Sequence, residues 1–79
     1  MDERRKRLLY RATHRGTREA DRLVGGFAQA HLEGLNEDDL DHFESLLEES
    51  DVDLVDWLMG RREAPARHQT IIQKMKKFI

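Results

Sequence analysis

The sequence predicts a small all-α fold: a compact bundle of five helices forming a single domain over residues 1–79. Three observations carry this. Apolar residues recur at steps of three and four through every long segment. No β-branched alternation and no hairpin dipeptide occurs, so nothing reads as a strand. Glycine, the single proline and cap-forming residues then cut the chain into pieces of helical length.

The first helix is expected from about Asp2 to His14, with Asp2 and Glu3 in the first turn, where negative charge suits the unpaired amides. Leu8, Leu9 and Ala12 give it a narrow apolar stripe. Arg4, Arg5, Arg7 and Arg11 occupy the rest, so docking must hold it. The second helix has the best periodicity (Ala20, Leu23, Val24, Phe27, Ala28, His31, Leu32, Leu35) and reads as the central core helix. Gly25-Gly26 in its middle costs about 1 kcal/mol per glycine relative to alanine, which points to a bend or to close approach by another helix. Gly34 reads as its stop.

Asn36 is the expected N-cap of the third helix, with Glu37, Asp38 and Asp39 on its positive end and Leu40, Phe43, Leu46 and Leu47 along its buried edge. Ser50 or Asp51 caps the fourth, where Leu54, Val55, Leu58 and Met59 are expected to point inward until Gly60 ends the run. Asp51 and Asp53 read as cap and loop acids, and Trp57 as core or half-buried support. Pro65 lies in the linker Arg61 to Ala66. The fifth helix, from about Arg67, places Ile71, Ile72, Met75, Phe78 and Ile79 on one side.

Composition narrows the function classes. A chain of 79 residues buries only about 60% of its unfolded surface and leaves little room for an enclosed pocket, which lowers the prospect of an enzyme. Without cysteine there is neither a disulfide framework nor a thiolate metal site. His14, His31, His42 and His68 show no paired ligand spacing. Neither a nucleophile-base pair nor a phosphate loop following a strand is present. The longest uncharged stretch, Leu23 to Leu32, is too short to cross a bilayer, and the basic start lacks an apolar core for a targeting segment, so no membrane insertion and a cytoplasmic location are expected. Charge is segregated: residues 1–22 hold eight bases and four acids, residues 33–56 eleven acids and no base, residues 57–79 six bases and one acid. Either the helices attract one another, or the molecule offers a bipolar surface to a partner.

The least ordinary stretch is Arg15-Gly16-Thr17-Arg18-Glu19, between the first two helices. Gly16 has a plain reading as a turn, and Glu19 as an acid in the first turn of a helix, worth about 0.3 to 1 kcal/mol. The pattern Arg-Gly-x-x-Glu also resembles that of the succinate dehydrogenase assembly factors, also called FAD assembly factors. A second block, Leu46 through Met59, resembles the family's leucine pair, Asp-x-Asp-Leu turn and Trp-Leu pair. Val52 stands where many relatives have proline, and Ala20 where a larger apolar residue is usual. The resemblance covers nearly the whole chain and implies a small all-α domain.

It further implies a non-catalytic, chaperone-like factor. Such a factor binds the flavoprotein subunit of succinate dehydrogenase and promotes covalent attachment of FAD to a histidine of that client, with the related fumarate reductase as a second candidate client. Arg15, Gly16 and Glu19 would form an exposed client-binding patch, with His14, Arg18 and Asp21 beside it. No cofactor is expected to bind stably, since FAD belongs to the client. Two other readings of the residues stand beside this one. A nucleic-acid module could use the basic first helix, although the acidic middle opposes binding, so no nucleic-acid partner is expected. A generic protein-interaction domain is the other.

Overall fold

A computed structural model describes all of residues 1–79, and every regular element in it is helical. Helix α1 is Glu3–Thr13. Helix α2 is a continuous run over residues 18–34, built from α-helical Arg18–Ala20, a π-helical turn Asp21–Gly25, α-helical Gly26–His31 and a 3-10 turn Leu32–Gly34. Helices α3 (Glu37–Leu46), α4 (Asp51–Leu58) and α5 (Ala66–Lys76) complete the five-helix bundle.

Four of the five starts are made the same way. The side chains of Asp2, Thr17, Asn36 and Ser50 accept from the amides of Arg5, Ala20, Asp39 and Asp53 respectively, each three residues on, so one of the first unpaired donors is satisfied at each start. The fifth start is Pro65, which has no cap hydrogen bond and needs no amide partner of its own.

The ends differ, and two of them depend on arginines from elsewhere, Arg5 of α1 and Arg15 of the turn that follows it. Helix α4 stops in a Schellman arrangement: Gly60 has φ +76°, its amide donates to Trp57 O, and the Arg61 amide donates to Asp56 O. Helix α2 ends at Gly34 as expected, but Gly34 is not left-handed. The run tightens into a 3-10 turn instead. Arg5 then reaches its last carbonyls, donating to Leu32 O at 3.2 Å, which also accepts the Leu35 amide, and to Leu35 O at 2.6 Å, while Asp2 holds its other nitrogen. The end of α3 has no glycine within reach, and Arg15 covers its carbonyls.

Twenty-one buried apolar residues form one core. Leu8 and Ala12 bring α1 onto Leu23, Val24, Phe27 and Ala28 of α2, while Phe43 of α3 and Ile71, Ile72 and Met75 of α5 close the other side. The central glycines act separately. Gly25 is buried against α1, where an added Cβ would lie 3.1 Å from Ala12 O and Thr13 Cγ2; Gly26 faces outward with nothing within 4 Å. Close helix approach therefore belongs to Gly25 alone.

Three side chains expected to serve the core lie outside it. Met59 sits past the last turn of α4, and Phe78 and Ile79 lie beyond the end of α5, where Phe78 touches α2 on one side only and stays half exposed; Tyr10 is exposed too and stacks on His14. Trp57 is core, next to the ring of buried His68.

The charge segregation resolves into internal attraction. Ten of the eleven acids in residues 33–56 lie within 4.0 Å of a cation, each contributed by a segment outside that stretch; Asp38 is the exception. Arg4 alone spans Glu37, Asp41 and Glu44. Exposed pairs contribute about 0 to 1 kcal/mol each, so the consequence is mainly orientation: α1 and α5 are drawn to α3 and α4 in one register.

Candidate interaction surface at the α1–α2 turn

The turn owes its shape to Gly16, whose φ of +105° strains any residue with a Cβ; space is not the constraint, since nothing stands within 4 Å. Chain direction reverses here in four residues, and Thr17 starts α2 at once. Asp21 reaches back from the first turn of α2, and its Oδ1 accepts from the Arg15 amide at 2.6 Å. A buried residue, Ala20, anchors the same turn to the core.

Arg15 turns inward, against expectation. Its Nη1 donates to Leu47 O and its Nη2 to Glu49 O, both at 2.6 Å, and its Nε donates to Asp51 Oδ1 at 2.8 Å. Side-chain exposure is 12% for Arg15 and 20% for Asp51. The guanidinium fork, which suits planar acceptors, is thus filled by its own chain. It joins the α1–α2 turn to the link between α3 and α4, and it caps the end of α3 in place of a glycine.

The six residues singled out from the sequence therefore divide. Gly16, Arg18 and Glu19 face solvent, and His14 is exposed with its Nδ1 2.8 Å from Tyr10 O. Arg15 and Asp21 hold the turn together. Glu19 stands on the rim of a shallow groove of about 230 Å³ between the start of α2 and helix α4, lined also by Thr17, Asp51, Val52, Val55, Asp56 and Arg61. Its carboxylate lies 4.0 Å from the Arg61 guanidinium, and Val52 presents an exposed apolar side chain at the groove. The groove is open and has both charges with an apolar floor, the chemistry of a protein contact surface.

No three His, Cys, Asp or Glu side chains converge as metal ligands would. No helix is long and apolar enough to cross a membrane.

The sequence profile of the family described as flavinator of succinate dehydrogenase matches residues 6–79. The chain belongs to this family. Among its relatives, the FAD assembly factor SdhE of Acetobacter pasteurianus is 45% identical over 67 residues, covering 85% of this chain and 62% of that protein. The mitochondrial succinate dehydrogenase assembly factor 2 of Dictyostelium discoideum is 33% identical over 75 residues, covering 95% and 53%. Its namesake in Saccharomyces cerevisiae is 42% identical over 57 residues, covering 72% and 35%. The chain thus spans about half the length of the relatives it matches.

Sequence reasoning missed Arg61, Val52 and Thr17 as neighbours of Glu19. Arg61 and Val52 come from α4 and the segment after it, and only the fold brings them near. Thr17 did carry a signal, a hydroxyl residue three positions before the Ala20 amide.

Proposed function

We propose that this chain binds the flavoprotein subunit of succinate dehydrogenase and promotes covalent attachment of FAD to it, with the fumarate reductase flavoprotein as a related client. The observation that carries the reading is the arrangement of the family's motif. Gly16 leaves an exposed bend bare of side chain, Arg18 and Glu19 project beside it, and Arg15 and Asp21 fix the bend from behind.

A surface set in advance loses little conformational entropy when it meets a client. Gly16 lets the client backbone approach closely, and Glu19 offers an acceptor to a base or amide. Arg15 acts through the turn that it positions. The covalent bond forms within the client, and the factor contributes by favouring the client conformation in which flavin and acceptor residue are juxtaposed. Positioning of this kind lowers barriers by several kcal/mol or more. FAD itself remains with the client on this reading, since the groove is shallow and lies below the roughly 300 Å³ at which ligand pockets begin.

Co-expression of the chain with the client subunit, followed by in-gel flavin fluorescence, tests the proposal. Gly16→Arg places a strained, bulky residue on the bend and is expected to abolish the gain in flavinylation while the helical circular dichroism signal persists. Flavinylation equal to wild type with a folded Gly16→Arg protein would refute it.

A further inference from the structure

We propose that the client contact extends beyond the turn, along the outer face of α2 to the end of the chain, where Arg18, Arg22, Gly26 and Phe78 dock an acidic client segment that carries an apolar side chain. The identity of the client rests on the function proposed above; the shape and charge of the face are independent of it.

Charge comes first. Nine of the fourteen Lys and Arg side chains have an acidic partner within 4.0 Å, but Arg18 and Arg22 have none. They stand one helical turn apart on an exposed face, a spacing at which like charges repel. Glu19 borders the same depression, yet the only cation within 4.0 Å of it is Arg61. Arg7, Lys76 and Lys77 are also unpaired, but Arg18 and Arg22 are the two free guanidinium groups that share one face of α2 beside the motif, open to an acid from outside.

Gly26 gives the second observation. A glycine inside a helix costs about 1 kcal/mol relative to alanine. At Gly25 the bare backbone is used by α1, but at Gly26 no atom of the chain needs it. Its bareness opens a depression of about 290 Å³ on the surface, bordered by Arg22, Leu23, Phe27, Phe78 and Ile79.

Third, the apolar end of that depression is held in place. Phe78 and Ile79 are 55% and 53% exposed, and the Phe78 ring lies 3.8 Å from the His31 ring and 6.1 Å from that of Phe27. Phe78 is thus a fixed apolar platform, which needs little ordering on binding. Two guanidinium groups followed by a bare, apolar hollow fit carboxylates followed by an apolar side chain.

The test uses the full chain and the purified client flavoprotein subunit, with binding measured by biolayer interferometry at two salt concentrations. Arg18→Glu combined with Arg22→Glu is expected to weaken binding on the order of tenfold, mainly through slower association and with a flatter salt dependence. Gly26→Gln, whose Cβ meets nothing within 4 Å and whose longer side chain fills the open hollow, is expected to weaken binding several-fold while its melting temperature stays at or above wild type. Binding within twofold of wild type for both variants, alongside loss in Gly16→Arg, overturns the extended face and leaves the proposed function standing. No binding by the wild-type chain overturns both. Sedimentation showing a wild-type dimer that Gly26→Gln dissociates also overturns it, because a second copy would then occupy the face.

Discussion

Replacing Arg15 by alanine removes two hydrogen bonds to main-chain carbonyls and strands the Asp51 carboxylate, all at one point between α1 and the α3–α4 link. Hydrogen bonds from a charged donor contribute about 1.5 to 3 kcal/mol net each. The site is only slightly solvated, yet Asp51 can recover some water, so the three contacts do not add. A loss of about 2 to 4 kcal/mol is the reasonable range. A domain of this size has a total stability of roughly 4 to 12 kcal/mol, and each kcal/mol moves the melting temperature by about 4 to 8 °C. Thermal melts followed by circular dichroism should therefore fall by roughly 10 to 25 °C. Arg15→Lys should recover only a minor part, since one ammonium cannot serve acceptors that the fork reaches in different directions. An Arg15→Ala protein melting within about 3 °C of wild type would refute the clamp. Because of this loss, reduced flavinylation in Arg15→Ala would report the fold as much as the surface, which makes Gly16 and Glu19 the cleaner functional probes.

The two central glycines should respond in opposite directions. Gly25→Ala drives a Cβ to 3.1 Å from Ala12 O and should cost about 1 to 3 kcal/mol, whereas Gly26→Ala should stabilise by about 0.4 to 1 kcal/mol; chemical denaturation measures both. Arg5→Ala uncovers Leu35 O and takes one of two donors from Leu32 O, and should cost about 1 to 3 kcal/mol, with amide exchange rising first around residues 32–35. Acid should destabilise the fold. The Glu49 carboxyl is held below its ordinary 4.5 by His68 first and Arg67 next, and Asp53 below 3.8 by Arg62. For groups lowered in this way the stabilisation is present above the unfolded values and disappears as pH falls through the folded ones. Stability should therefore decline with acidification below about pH 4.5, with a shallower decline in Glu49→Gln. Constant stability from pH 5 to pH 3 would contradict this.

Most of the fold was legible because periodicity and caps agree along the chain: Asn36, Ser50, Gly60 and Pro65 stand where the structure starts or stops a helix. The direction of Arg15 was not legible. Its acceptors are carbonyls of Leu47 and Glu49, more than thirty positions away, and a main-chain carbonyl leaves no mark on a sequence. The same holds for Arg5. Segregated charge could be read either as internal attraction or as a surface, and only the pairing of Arg4 with Glu37, Asp41 and Glu44 decides it. Phe78 carried the right spacing for the core but lies past the end of α5, where it packs on His31 and Phe27 from one side only, so an apolar pattern continued where full burial did not.

The borrowed neutralisation of the acidic middle has a consequence for how the chain matures. During synthesis, a polypeptide that has reached Gly60 still lacks Arg62, Arg67 and Lys74, so Asp53, Glu49 and Asp39 repel without relief. The same nascent chain lacks Ile71, Ile72 and Met75, so the face of α3 that packs on α5 is left uncovered. Vectorial, piecemeal consolidation is thereby disfavoured, and the molecule should acquire its structure in one late step once α5 has emerged.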